Sequence, residues 1–230
     1  GASTDFEGGS GFDLLIGHRL SWLNDWGGEW RNRLQLGRTR ALKTEFVQPL
    51  GVGGSVFIAP KAEVVRRTLD IFDGDERRAQ WLGGYNRVGI DLGAPFGTLG
   101  EARIGYAHGQ YLANQTIGQA GTAKVEFKEV GFTGSLVLDQ LDNAAFPSRG
   151  WRLAGDLFNS RKSLGAFADY SRWQAKATAV TTTGRSTWEA GLELGGFLDA
   201  QKVGFSDWRL GGFQRLSGYR NEQISGNFLA

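Results

Sequence analysis

The chain has 230 residues, with 36 Gly, only 4 Pro, 8 Trp, 5 Tyr and 15 Phe, and its 26 basic residues nearly balance 24 acidic ones. Without Cys there is no disulfide framework or zinc-thiolate site, and near-neutrality leaves no electrostatic footprint for a nucleic-acid partner. No run of about 18 apolar residues exists, which excludes a membrane-spanning helix but not a membrane β-barrel, whose strands alternate.

Met is absent, at position 1 as elsewhere, as expected of a piece of a longer protein. Gly11 to Trp22 alternates with period 2: Phe12, Leu14, Ile16, Leu20 and Trp22 share one face, and Asp13, Gly17, Arg19 and Ser21 the other. Asn24-Asp25-Trp26-Gly27-Gly28 supplies turn chemistry, and Glu29 to about Arg38 forms the next strand. Ala41–Leu50 sets Leu42, Phe46 and Leu50 opposite Lys43 and Glu45. Ser55–Phe72 is longer and less regular, and Pro60 predicts a bend or bulge in it.

Ala79–Gly93 sets Val88, Ile90 and Leu92 opposite Tyr85, Arg87 and Asp91. Gly100–Ala113 follows, then a polar loop and a strand from Lys124 to Asp139. Its alternation slips midway, which predicts a bulge near Glu129–Gly131. Trp151–Phe158, Phe167–Val180 and Thr187–Phe197 bring the total to about ten antiparallel strands. Several are close to the ~9–11 residues that cross a bilayer at a tilt. No composition break divides residues 1–230, so they read as part of one barrel domain.

Alternation does not say which face meets solvent. A soluble ligand-binding barrel hides the apolar face; a membrane barrel turns it to lipid around a polar lumen. Two features favour lipid. The polar face carries both charge signs, as in Arg87/Asp91, Glu101/Arg103, Arg152/Asp156 and Glu189/Glu193, which a wet lumen can hold as cross-strand pairs. Trp30, Trp151 and Trp188, with Trp22 nearby, fall at one end of the strands, and Trp81, Tyr111 and Phe158 near the other. Aromatics at strand ends suit girdles at headgroup level.

Two stretches carry more than strand pattern. Asp139-Gln140-Leu141-Asp142-Asn143-Ala144-Ala145-Phe146-Pro147-Ser148-Arg149-Gly150 orders strand, D-x-x-D-N, F-P-x-x-G and a strand opening on Trp151. Trp208 to Gly226 lies in an interval of about thirty residues without alternation, and loops of that length tend to be functional. It holds Gly211, Gly212, Phe213, Arg215, Leu216, Ser217, Gly218, Tyr219 and Arg220.

The first stretch resembles a signature turn of the bacterial surface antigen family, the outer-membrane barrels related to the assembly protein BamA and the two-partner secretion transporters. Its residues Asp139, Asp142, Asn143, Phe146, Pro147 and Gly150 carry the match. The second resembles that family's lid loop, which re-enters the lumen with a V-R-G-F or V-R-G-Y tetrad; here Leu216-Ser217-Gly218-Tyr219 stands in its place. Softer matches, in Trp26-Gly27-Gly28-Glu29-Trp30-Arg31, Gln48-Pro49-Leu50 and Phe57-Ile58-Ala59-Pro60, are similar to the patatin-fused type V autotransporters.

The resemblance implies an all-β, antiparallel transmembrane barrel of about sixteen strands, about ten of them present, with an inward-folding lid loop near the C-terminus. It implies that these are the second to eleventh strands, that Gly1–Gly9 is the remnant of the first, and that the chain continues beyond Ala230. The implied role is an outer-membrane translocator or anchor for a covalently linked N-terminal passenger, plausible as a patatin-like lipase upstream of Gly1. The partners it implies are outer-membrane lipid and the barrel assembly machinery, in the bacterial outer membrane. An assembly factor or two-partner transporter is the alternative within the family, and a plain porin-like channel another. The family's lid Arg pairs with a lumenal acid; with Ser217 in its place, Arg215 or Arg220 substitutes, or Gly and aromatic packing holds the loop.

Enzymatic chemistry is not expected in this segment. His18 and His108 lie far apart, with no metal-ligand spacing. No G-x-S-x-G elbow or nucleotide-binding Gly motif occurs, so catalytic, cofactor and metal residues are all expected to be none.

Overall fold

The structure, a computed structural model, describes residues 2–4, 10–12, 14–37, 39–51, 53–73, 76–117, 124–199, 208–210, 224–226 and 228–229. Among the described residues, β1 (Ala2–Thr4) and β2 (Ser10–Phe12) pair only with each other. Then comes one antiparallel meander: β3 (Leu14–Leu20), β4 (Glu29–Leu36), β5 (Thr39–Leu50), β6 (Val56–Asp73), β7 (Glu76–Pro95), β8 (Gly100–Ile117), β9 (Lys124–Asp139), β10 (Gly150–Ser160), β11 (Tyr170–Thr183) and β12 (Ser186–Phe197). β13 (Trp208–Leu210) pairs with β14 (Ile224–Gly226), and β15 (Phe228–Leu229) adds to the edge of β12. The sheet is open, with β3 at one edge.

Period-2 alternation builds these strands, and the ladder registers show which residues share a face. One face carries Leu34, Leu42, Val64, Ile90, Ile104, Phe132, Leu157 and Leu192. It is exposed: Ile104 shows 68% of its surface and Val88 58%. The opposite face is concave. Arg103 on β8 reaches Glu45 on β5, across the two strands between them. A soluble barrel would bury its apolar face, so the exposure of this one overturns the soluble alternative.

Three expectations change. No bulge interrupts Glu129–Gly131, where β9 keeps constant register with β8, and with β10 from Gly131 onward. The alternation slips because the outward face changes character, from Phe132, Leu136 and Leu138 to Lys124, Glu126 and Lys128, while the backbone stays regular. Pro60 shifts no register either; the β5–β6 ladder lapses beside it and resumes at Gln48–Ile58 in step. The register shifts lie instead at Ile71/Phe72 and Gln80/Trp81. Phe167 precedes β11, in a loop that begins with the short 3-10 turn Lys162–Leu164. That loop donates from Arg161 N to Val130 O and from Phe167 N to Lys128 O. It thus occupies the edge of β9 beyond the end of β10, where unpaired groups would otherwise remain.

The Trp girdle is present at the short-turn end. Trp30, Trp151 and Trp188 point outward, 44%, 43% and 68% exposed, with Trp22 just beyond β3. At the other end Tyr111 and Phe158 turn inward, contrary to expectation. Tyr111 stacks on Phe127 at 4.9 Å, and Phe158 is buried against Tyr170. An outward aromatic near that end is Trp173, opposite Leu157 at the start of β11; Tyr106 and Phe132, in edge-on contact, lie further towards the middle of their strands.

Candidate functional site

The concave face is a wall of paired charges. Glu129 is almost wholly buried and accepts from Tyr170 Oη and from Arg87 Nη2 (2.9 Å), with Arg172 Nη1 at 3.6 Å. Arg87 lies over the Tyr85 ring at 4.6 Å, and Arg172 over Phe158 at 5.1 Å. Two cations on one buried carboxylate, both stacked on aromatic faces, make a rigid, desolvated knot. Lower on the wall Asp91 takes Lys61 Nζ at 2.5 Å and Arg103 Nη1 at 3.7 Å. Arg103 also bonds Glu45 and Glu101 and lies 5.0 Å over Phe57. Lys176 and Gln174 both hold Glu193.

Close backbone contacts fix this wall. A Cβ at Gly93 would fall 2.2 Å from the Phe57 ring, and one at Gly105 2.1 Å from Asp91 Oδ1. Glycine leaves room for the ring and carboxylate to lie flat on the neighbouring strand. Arg87, Asp91, Glu101, Arg103 and Arg152 take the lumenal face that alternation assigned them. Glu129, Tyr170 and Arg172 were missed, although Glu129 shares its parity with Phe127 and Thr133. An expected bulge at that point hid the signal.

The Asp139–Gly150 turn is held from within. Asp142 Oδ1 accepts from the Ser148 and Arg149 amides (2.8 and 3.1 Å), and Oδ2 from Ser148 Oγ. The Ser148 hydroxyl first, then the two amides, hold the Asp142 carboxyl down at about 2. Asn143 Oδ1 caps the amides of Ala145 and Phe146, and Asp139 Oδ1 that of Leu141. Asp139 also pairs with Arg152 at 3.0 Å. These are Asx-type bonds, which explain why Asp and Asn stand at these positions. Phe146 is 88% exposed and Pro147 half-buried. Gly150 has φ +119°, and a Cβ there would meet Gln140 O at 2.1 Å. The turn is tied to the next hairpin by Thr182 Oγ1 donating to Ser148 O at 2.8 Å.

The three softer segments converge at the same short-turn end. Asn24 Oδ1 caps the amides of Trp26 and Gly28, and Asn24 Nδ2 donates to Gln48 Oε1 at 2.7 Å. Glu29 binds Arg19 and Arg31. Phe57 and Ala59 pack on Val47. The lid-loop residues Gly211, Gly212, Phe213, Arg215, Leu216, Ser217, Gly218, Tyr219 and Arg220 lie outside the described residues. Among the described residues no group of His, Asp and Glu could hold a metal ion. His18 faces outward beside Asn32, and His108 outward near the loop end.

A concave wall of charges behind an outward apolar band is the wall of a membrane β-barrel. The chain belongs to the OMP85 superfamily, whose family model matches residues 103–226. That match runs from β8 through the Asp139–Gly150 turn and beyond. The fold is similar to the crystal structure of BamA from Haemophilus ducreyi lacking POTRA domains 1–3, with TM-score 0.69 over 93% of this chain at 9% identity. The chain spans 45% of that chain's length. No curated protein matches the sequence.

Proposed function

We propose that this segment is part of a translocator and anchor barrel in the bacterial outer membrane, exporting or displaying an N-terminal passenger. The carrying observation is the two-sided wall: an apolar exterior that dissolves in lipid, and paired charges that keep a hydrated lumen. The patatin branch is supported by the three segments that meet around Asn24, Gln48 and Phe57, and a patatin-like lipase upstream of Gly1 would be the passenger. The passenger, outer-membrane lipid and the barrel assembly machinery are the partners of this reading.

The lid loop closes the lumen in this proposal. Gly211, Gly212 and Gly218 let it pass close to the wall, Phe213 and Tyr219 wedge it, and Arg215 or Arg220 tethers it to a carboxylate in place of the Arg replaced by Ser217. Deleting Arg209–Arg220 in the full-length protein is expected to reduce passenger exposure to external protease or to raise single-channel conductance. Unchanged display together with unchanged conductance rules out the lid. The BamA-like fold favours a second reading, an assembly factor or two-partner transporter. Tandem periplasmic repeats upstream would mark it; a hydrolase domain with G-x-S-x-G would mark the first.

A further inference from the structure

The outward face changes character along a defined line. On β5 its apolar positions are Leu50, Phe46 and Leu42, with Gln48 and Thr44 between them, and on β6 they run from Val56 to Val64. On β7 they run from Ala94 to Val88, and on β9 from Leu138 to Val130. The bands are seven to nine residues long, close to the length that crosses a bilayer at a tilt. The next outward residue is Arg40 on β5, Arg66 on β6, Asn86 on β7 and Lys128 on β9, and at the same level on β8, one outward position beyond His108, stands Gln110. Three of the five are cations and none is acidic.

Arg40 and Arg66 are direct cross-strand partners, one pair beyond Leu42 and Val64. Like charges placed opposite each other are destabilising unless an anion sits between them. No carboxylate among the described residues pairs with either. Arg66 is nonetheless held in place: Nη1 donates to Val65 O (2.7 Å) and Tyr85 O (3.1 Å), and Nη2 to Asn86 Oδ1 (2.8 Å). Of its five N–H donors, Nε–H and one Nη2–H remain. They form the edge of the guanidinium that binds oxyanions in bidentate fashion.

We infer that Arg40 and Arg66 form a binding site for the phosphate of a lipid headgroup, at the loop-end boundary of the membrane. Lys128, on β9, extends the basic collar three strands beyond Arg66. The apolar band directly below would hold the acyl chains of the same lipid, which selects a phospholipid or phosphorylated glycolipid over a free anion. The inference rests on the barrel standing in a membrane, and goes beyond its role in export.

The test uses the full-length protein in uncharged detergent, titrated with bisphosphorylated lipid A and followed by native mass spectrometry. Expected is binding that weakens about tenfold in Arg40→Gln/Arg66→Gln and persists in Arg40→Lys/Arg66→Lys. The same lipid stripped of both phosphates should bind as weakly as the Gln variant does. Equal binding by the stripped lipid, or by the Gln variant, overturns the site. Competition by inorganic phosphate at lipid-like concentrations overturns the lipid in favour of a free anion. Each protein is first run unheated and heated in detergent gels. If the unaltered protein shows no heat-dependent mobility shift, the barrel reading fails instead. If the double Gln variant alone lacks the shift, Arg40→Gln at the hairpin tip carries the comparison.

Discussion

Asp142 is solvent-exposed, yet three donors converge on its two oxygens: the Ser148 hydroxyl and the amides of Ser148 and Arg149. They hold the carboxyl at about 2, below its ordinary 3.8. A depressed folded-state pKa means the ionised form favours the closed turn. That contribution is complete above about pH 4 and is lost as pH falls through about 2. Protection of the Ser148 and Arg149 amides, taken relative to the intrinsic exchange rate at each pH, should therefore fall between those limits. In Asp142→Asn the protection should be lower than in the parent at neutral pH and nearly independent of pH over the same window. Protection that still varies with pH in the Asn variant would assign the effect to another group. Sequence order alone disclosed this turn, since Asp, Asn, Pro and Gly each carry their own backbone preference. What it could not disclose is Thr182, which ties the turn to the β11–β12 hairpin from 34 positions away.

At the level of strands, alternation located the meander well and its landmarks less well. β9 was legible from Lys124 to Asp139, its full extent. Period 2 survives every change of environment, and only the residue types on each face change. The same property misled at Glu129–Gly131, where an outward face passing from apolar to charged imitates a bulge. It misled again at Tyr111 and Phe158: proximity to a strand end says nothing of the face, and both are lumenal. Glycines at the hairpin ends carry constraints that can be tested. Gly150 combines φ +119° with Gln140 O at 2.1 Å from any added Cβ. Gly150→Ala should destabilise the refolded barrel by about 1–3 kcal/mol, measured by urea unfolding in lipid vesicles. Gly165→Ala is the control: its φ is +98° but nothing lies within 4 Å of its Cβ, so it should show the conformational cost without the clash. Equal losses would mean that the contact at Gln140 O relaxes freely.

For the molecule as a whole, the decisive question was which face meets lipid, and here composition was a poor guide. Near-balanced charge and modest hydrophobicity are shared by soluble and membrane barrels, because only alternate residues of a strand face the bilayer. The structure decides through curvature: Arg103 meets Glu45, and Arg87 and Arg172 meet Glu129, only if the charged side is concave. The lid loop remains a proposal that rests on resemblance, since a segment without periodicity gives local sequence rules nothing to act on. The assignment of faces makes a depth-dependent prediction. Ile90 lies near the middle of the outward band of β7, whereas Gln110 on β8 lies at its boundary. A charge facing lipid costs most at the midplane, so Ile90→Arg should lower folding stability in vesicles by about 2–4 kcal/mol and Gln110→Arg by only about 0–1. Were the same sheet to stand in water rather than lipid, both positions would be plain surface, where an added Arg changes stability little. Small and equal losses at the two sites would therefore take lipid away from the outward face, and with it the headgroup site at Arg40 and Arg66.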